Sequence, residues 1–222
     1  MRISVIVPVY NGAAYLAETL DGVFAQTRPA DEIVIVDDGS TDSSPDILRA
    51  FGSRLSVIRQ ENQGVAAARN VALTHASGDL ICFIDQDDLW PADRNRLLVD
   101  ALQADPAAEV AAGLVEMRYE RPGPPDRNEN LDTMHREFYL GSLCSRAGLF
   151  RTLGLLNTNV GYADDTDFLI RRLEAKTKTV YLNETTLIYR IHPNNFSSDR
   201  SVSQFYFLAA LHKSLKRRRN AT

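Results

Sequence analysis

Ile3 to Val9 reads ISVIVPV and is closed by Tyr10, Asn11 and Gly12. An apolar run with a single serine and no charge does not alternate, so it predicts a strand covered on both faces, as in a parallel sheet. Beyond it, Tyr15, Leu16, Leu20, Val23 and Phe24 recur at three- and four-residue spacing, the pattern of a helix with one buried face. Glu32 to Val36 (EIVIV) is a second buried strand, ended by Asp37-Asp38-Gly39-Ser40-Thr41. Ser43 or Ser44 is suited to cap the next helix, with Pro45 in its first turn. Leu55 to Ile58 predicts a third strand and Val65 to Leu73 an Ala-rich helix. Leu80 to Ile84 (LICFI) predicts a fourth strand, followed by Asp85-Gln86-Asp87-Asp88 and a helix opening at Pro91.

Strand and helix thus alternate through the first half, which predicts an α/β fold: an open, mostly parallel sheet with helices on both faces. Such sheets bind ligands beyond the carboxyl ends of their strands. Pro8–Asn11, Asp37–Asp42 and Asp85–Asp88 all fall at those ends, so they are expected to converge. The second half is less regular. Glu109 to Met117 predicts a strand, Pro122 to Asn130 a long loop, Asp164 to Leu173 a helix, and Val180–Leu182 and Leu187–Ile191 two short strands. Phe205 to Leu215 predicts an amphipathic helix. The expected organisation is one domain over residues 1–200, with a nucleotide-binding half to 105 and an acceptor half from 106, then a basic helix at 201–222.

Of the 222 residues, 44% are hydrophobic and 24% charged, an ordinary globular balance that argues against disorder and fibrous repeats. No apolar run reaches the roughly 20 residues of a membrane span, and the chain enters its first strand at once, predicting no leader. Cys82 and Cys144 show no ligand spacing and cannot build a disulfide framework, so a reducing, cytoplasmic setting is expected. The net charge of −4 argues against nucleic acid as a partner. Lys213, Lys216, Arg217, Arg218 and Arg219 crowd the C-terminus; this cluster is either a solvated helix end or a contact for the inner face of an anionic membrane.

Three acidic groups invite chemistry. Asp85, Asp87 and Asp88 follow a buried strand, where their repulsion is relieved by a divalent cation; oxygen ligands favour Mg²⁺ or Mn²⁺ over zinc. The plainer alternative is a solvated turn that caps the following helix. Asp37 and Asp38 either form an Asx-type turn with Ser40 or Thr41 or accept hydrogen bonds from a nucleoside. Asp164, Asp165 and Asp167 open a helix and suit its dipole, yet they exceed what capping needs, so one is a candidate general base. Arg69 is either a solvated helix residue or a partner for a diphosphate. His192, in Tyr189-Arg190-Ile191-His192-Pro193, is a ligand, a base or a packed core residue.

Taken in order, these motifs resemble the family 2 glycosyltransferases of the GT-A fold, over Ile3 to about Ser198. VIVPVYNG (Val5–Gly12), IVDDGSTD (Ile35–Asp42), ENQGVAAARN (Glu61–Asn70), FIDQDDLW (Phe83–Trp90), ADDTDFLIRR (Ala163–Arg172) and YRIHPNNFS (Tyr189–Ser197) each look like a segment of that family. The resemblance implies an inverting enzyme that uses a nucleotide-diphospho-sugar, UDP-linked by first expectation, with Mg²⁺ or Mn²⁺ and an unidentified hydroxyl acceptor. It implies donor contacts from Pro8, Tyr10, Asn11, Asp38, Arg69, Asp85 and Arg190. Asp85 and Asp87 would hold the metal, with His192 as a further candidate ligand, and Asp165 would be the catalytic base supported by Asp88 and Asp164. Asp164 departs from the family's usual glutamate by one methylene, and Arg118–Leu140 matches no family segment. Two alternatives stay open: a haloacid-dehalogenase-type phosphatase, whose DxDx(T/V) motif meets Leu89 at its last position, and a non-catalytic nucleotide-binding domain of the same fold.

Overall fold

The computed structural model describes residues 1–120, 139–161, 163–193, 195, 208 and 210–217. A seven-stranded sheet runs in the order β3-β2-β1-β4-β6-β5-β7. Its first four strands are β1 (Ile3–Val9), β2 (Glu32–Asp37), β3 (Ser56–Arg59) and β4 (Leu80–Phe83). Their pairings with one another are parallel. Between them lie α1 (Leu16–Phe24), α2 (Ser44–Phe51) and α3 (Val65–His75). The alternation read from the sequence holds here because every strand is short, apolar and flanked by polar turns. The helix expected from Pro91 begins three residues later, as α4 (Arg94–Ala104), after a turn in which Arg94 N–H donates to the Pro91 carbonyl at 3.0 Å.

The side chains of each central strand divide between two cores. Ile3, Val5, Val7 and Val9 face one core with Leu16, Leu20 and Val23 of α1, Leu48 of α2, and Leu98 and Leu102 of α4. Ile6, Val34, Val36, Ile81 and Phe83 face the other, with Ala66, Ala68 and Ala72 of α3 and Phe168. Two-sided burial explains why these strands carry no polar face.

The second half departs from the sequence reading in two ways. A four-residue strand, β6 (Leu143–Arg146), and a helix, α5 (Gly148–Leu153), carry no sequence signal strong enough to find. β6 enters antiparallel between β4 and β5 (Val110–Tyr119), which places Cys144 opposite Cys82, both free and buried. The two short strands expected at 180–182 and 187–191 are one, β7 (Thr179–Ile191). Its register against β5 shifts around Leu114, where β7 carries Asn183-Glu184-Thr185-Thr186. That polar bulge breaks the hydrophobic pattern without breaking the strand. Gly113 of β5 accommodates it, since a Cβ there would meet Thr186 Cγ2 at 2.2 Å. The loop expected at 122–130 lies outside the described residues.

α6 (Asp164–Glu174) matches the helix expected from Asp164. Residues 210–217 are helical and pack on α6 rather than forming only a solvated end. Ala210 is fully buried with Val160 and Ala163, Arg217 pairs with Asp167 and Glu174, and Lys213 donates to Asn157 and Asn159. The opposite side leaves Leu208, Leu211 and Leu215 exposed. Among the described residues, no helix is long and apolar enough to cross a membrane.

Candidate active site

The parallel register brings Val9 level with Asp37 and Ile6 level with Phe83, so the loops after β1, β2 and β4 leave one edge of the sheet together. Asn11, at φ +51°, turns its Oδ1 to accept from Thr41 N–H at 2.8 Å, while its own N–H donates to Ser40 Oγ at 3.0 Å. Gly12 N–H donates to Ser44 Oγ and Ala13 N–H to Asp42 Oδ2, both at 2.9 Å. The YNG and DGSTD segments are thereby knitted into one surface.

Asp37 takes the turn role: its Oδ1 accepts from Ser40 N–H at 2.9 Å. Asp38 is 2% exposed. Its Oδ1 accepts from Gln60 Nε2 at 2.7 Å and Gln63 N–H at 2.9 Å, and its Oδ2 from Gly64 N–H at 2.8 Å. In this structure Asp38 therefore holds the 60–64 loop. Pro8 lies buried in β1, and Tyr10 stands exposed beyond it.

The loop after β4 is arranged otherwise. Arg69, brought by α3, is 6% exposed and donates through one nitrogen to Asp85 at 2.5 Å and through the other to Asp164 at 2.7 Å. Burial opposes the Arg69 charge, but Asp164, Asp85 and Asp165 outweigh it and hold the guanidinium ionised. Arg69 thus joins the β4 loop to the start of α6. Asp165, partly buried beside this cluster, has its carboxyl pushed up to about 7 by burial and by Asp164, with Arg69 pulling the other way. Tyr139 has its phenol pushed up to about 12 by burial and by the charges of Asp165 and Asp88.

Asp87 is raised by burial and by Asp85, and His192 opposes the shift. His192 Nε2 lies 3.1 Å from Asp87 Oδ2, and its ring stacks on Tyr15 with centroids 4.5 Å apart. β7 is pinned there by an antiparallel bridge between Leu89 and Ile188. Asp88 is buried, accepts from Arg190 N–H at 3.1 Å, and is raised well above the ordinary carboxylate range by burial and its acidic neighbours.

Arg190, expected to contact the donor, is held among protein groups. It is 2% exposed, pairs with Glu18, donates to the Asp87 carbonyl and to Thr19 Oγ1, and lies over the Tyr15 ring at 4.8 Å. These contacts tie β7 to α1 and the β4 loop. Sequence reasoning also passed over Gln86, whose carboxamide binds Tyr10; the middle position of a DxD motif carries no signal of its own.

The donor set fits a hard divalent cation. Asp87 and His192 face each other at about the 3 Å expected of neighbouring ligands on a 2.0–2.1 Å octahedron, and Asp85 adds a carboxylate that is 40% exposed. His192 Nδ1 is buried with no protein partner. Among the described residues, no three His, Cys, Asp or Glu side chains gather on one point. That suits Mg²⁺-type binding, in which one or two carboxylates act with substrate phosphates.

Residues 4–172 match the family model described as Glycosyl transferase family 2. Glycosyltransferase GlyA of Streptococcus pneumoniae serotype 4 is 32% identical over 219 residues, covering 88% of this chain and 31% of that protein. Among solved structures, the mannosyltransferase PcManGT from Pyrobaculum calidifontis, in complex with GDP-Man and Mn²⁺, is similar at 27% identity and TM-score 0.74, over 97% of this chain and 64% of that one. TarS 1–349 of S. aureus, in complex with UDP-GlcNAc, shares the fold at 22% identity and TM-score 0.71, over 90% of this chain and 61% of that one. The chain therefore spans about a third of GlyA and under two thirds of either solved chain.

Proposed function

The chain belongs to glycosyl transferase family 2, and from that premise we propose that it moves a sugar from a nucleoside-diphosphate donor to an acceptor hydroxyl, inverting the anomeric carbon. UDP-sugars are the first donors to test, and a polysaccharide, cell-envelope glycan or glycolipid is the proposed acceptor class. The observation that carries the reading is the Arg69 bridge, which joins the donor-side carboxylate Asp85 to Asp164, the neighbour of Asp165. A proton acceptor and the acidic strand-end loop thus share one cluster, as displacement at a single carbon requires.

In this mechanism Asp165, in its ionised form, takes the proton of the acceptor hydroxyl as that oxygen attacks the anomeric carbon. The bond from that carbon to the diphosphate oxygen breaks on the opposite face, so configuration inverts. The nucleoside diphosphate leaves with the bonding pair. A carboxyl near pKa 7 suits a general base at neutral pH, because a substantial share is ionised and that form is still basic enough to accept the proton. A divalent cation held by one or two of Asp85, Asp87 and His192, together with the donor's phosphates, would supply positive charge there. Arg69 keeps Asp85 in position, and Asp164 holds Arg69. Asp38 would receive the base. The exposed Leu208, Leu211, Leu215 and Lys216 would let the C-terminal helix rest on an anionic membrane, which vesicle sedimentation tests.

Incubation with UDP-GlcNAc, UDP-glucose and GDP-mannose, each with Mn²⁺ and a panel of hydroxyl acceptors, tests the reading by nucleoside-diphosphate release and by NMR of the product's anomeric configuration. A β-linked product from an α-linked donor is expected. Binding without turnover for every acceptor would favour the non-catalytic alternative. Phosphate release from simple phosphomonoesters, without nucleotide binding, would favour the phosphatase.

A further inference from the structure

We propose that Gln86 is a positioning residue that sets the span between the nucleoside-side loops and the carboxylates Asp85 and Asp87; this rests on the glycosyltransferase reading. Gln86 lies between the two aspartates but turns its carboxamide the other way. Tyr10 N–H donates to Gln86 Oε1 at 2.8 Å, and Gln86 Nε2 donates to the Tyr10 carbonyl at 2.9 Å. A carboxamide offers the same donor and acceptor as a peptide group. The pair therefore acts as one further rung of the β1–β4 ladder, past Ile6 and Phe83 where the strands' own pairing ends. The rung is placed where the β4 loop must bend away to present its carboxylates.

Gly12 adds a second, independent observation. A Cβ there would lie 2.2 Å from Gln86 Oε1 and 2.4 Å from its Cδ. Gly12 is not among the residues with positive φ, so its backbone accepts alanine. What excludes a side chain is the Gln86 carboxamide, which cannot retreat without giving up both bonds to Tyr10. Thr19 Oγ1 holds the same stretch from the other side by donating to the Gln86 carbonyl at 2.8 Å. A nucleoside diphosphate bridging the two loops would find its length matched by this one side chain.

Gln86→Ala is expected to lower kcat/KM for the donor by about tenfold through KM, since small displacements of binding groups carry large rate penalties. The acceptor KM and the Tm should stay near wild type. Gly12→Ala should reproduce that loss, and the double variant should be no worse than Gln86→Ala, because both single changes remove the same link. Losses that multiply in the double variant would overturn the proposal. Hydrogen exchange reads the link without substrate: protection of the Tyr10 amide should fall in Gln86→Ala. If protection falls but the wild-type protein binds no nucleoside diphosphate, the glycosyltransferase reading fails and the link stands. Unchanged Tyr10 protection in Gln86→Ala overturns the link whatever the activity.

Discussion

The loop after β2 and the loop after β4 leave the same edge of the same sheet and look alike in sequence, Asp37-Asp38 through Asp42 in one and Asp85-Gln86-Asp87-Asp88 in the other. In the first, each aspartate accepts hydrogen bonds from main-chain amides: Ser40 for Asp37, Gln63 and Gly64 for Asp38, Ala13 and Ser44 for Asp42. In the second, carboxylates crowd one another, and Asp87 and Asp88 are raised by burial and by like charge. Asp165 belongs with the second group, raised by burial and Asp164. An aspartate met by converging N–H groups is held in place by them. One crowded by other carboxylates, as Asp85, Asp87, Asp88 and Asp165 are, is poised for a cation or a proton.

The widest separation between the groups should appear in turnover. Asp165→Asn is expected to cut kcat by about 10³-fold, within the range for loss of a general base, while nucleoside-diphosphate affinity changes little by calorimetry. Comparable loss in Asp42→Asn would erase the distinction. Next in size, Asp87→Asn should raise the half-activating Mn²⁺ concentration by about 10–100-fold, and chelation should silence the wild-type enzyme. Asp42→Asn should leave that metal titration unmoved.

A smaller but sharper effect lies in pH. With Asp165 near 7 and active only when ionised, kcat/KM should rise about tenfold per pH unit on the acid side and level off above about pH 7. That acid limb should be absent from the residual activity of Asp165→Asn.

Stability should move in opposite directions in the two groups. Burial raises Asp42, but hydrogen bonds from Ser44 and Ala13 outweigh it and leave the group lowered. Its stabilisation is thus present above its ordinary value and lost as pH falls through the folded one. Asp42→Ala should lower Tm by about 2–4 °C at pH 7 and by less in strong acid. Asp165 is raised, so it costs the folded state stability as pH climbs from the group's ordinary value to about 7, and the full cost persists above that. Asp165→Asn should raise Tm by a similar amount at pH 8 and leave it nearly unchanged at about pH 3, where the aspartate is neutral in both the folded and the unfolded chain. Thermal scans at the two pH values check both signs.

The sequence made the first half of the chain legible because its strands are buried on both faces and its acidic clusters sit where strands stop. β1 matches its expected limits, and α3 extends only two residues beyond the expected end. β6 escaped notice because four residues with a serine and an arginine make no pattern, and their burial comes from insertion between β4 and β5. β7 read as two strands because periodicity cannot tell a bulge from a break. The motif around Arg190 identified the arginine but not its protein partners: that its guanidinium meets Glu18 depends on what another element brings to it.

What the chain alone determined is the set of local instructions: which segments are strands, which are amphipathic helices, and where acidic residues interrupt them, since these follow from neighbours a few positions apart. Only the tertiary structure decided which carboxylates are satisfied and which are left in excess. Asp38 depends on Gly64, Asp85 on Arg69, Asp87 on His192 and Gly12 on Gln86. Each partner comes from a separate segment of the chain. A carboxylate's protonation and reach are set by the groups within a few ångströms of it, and only packing brings those groups there.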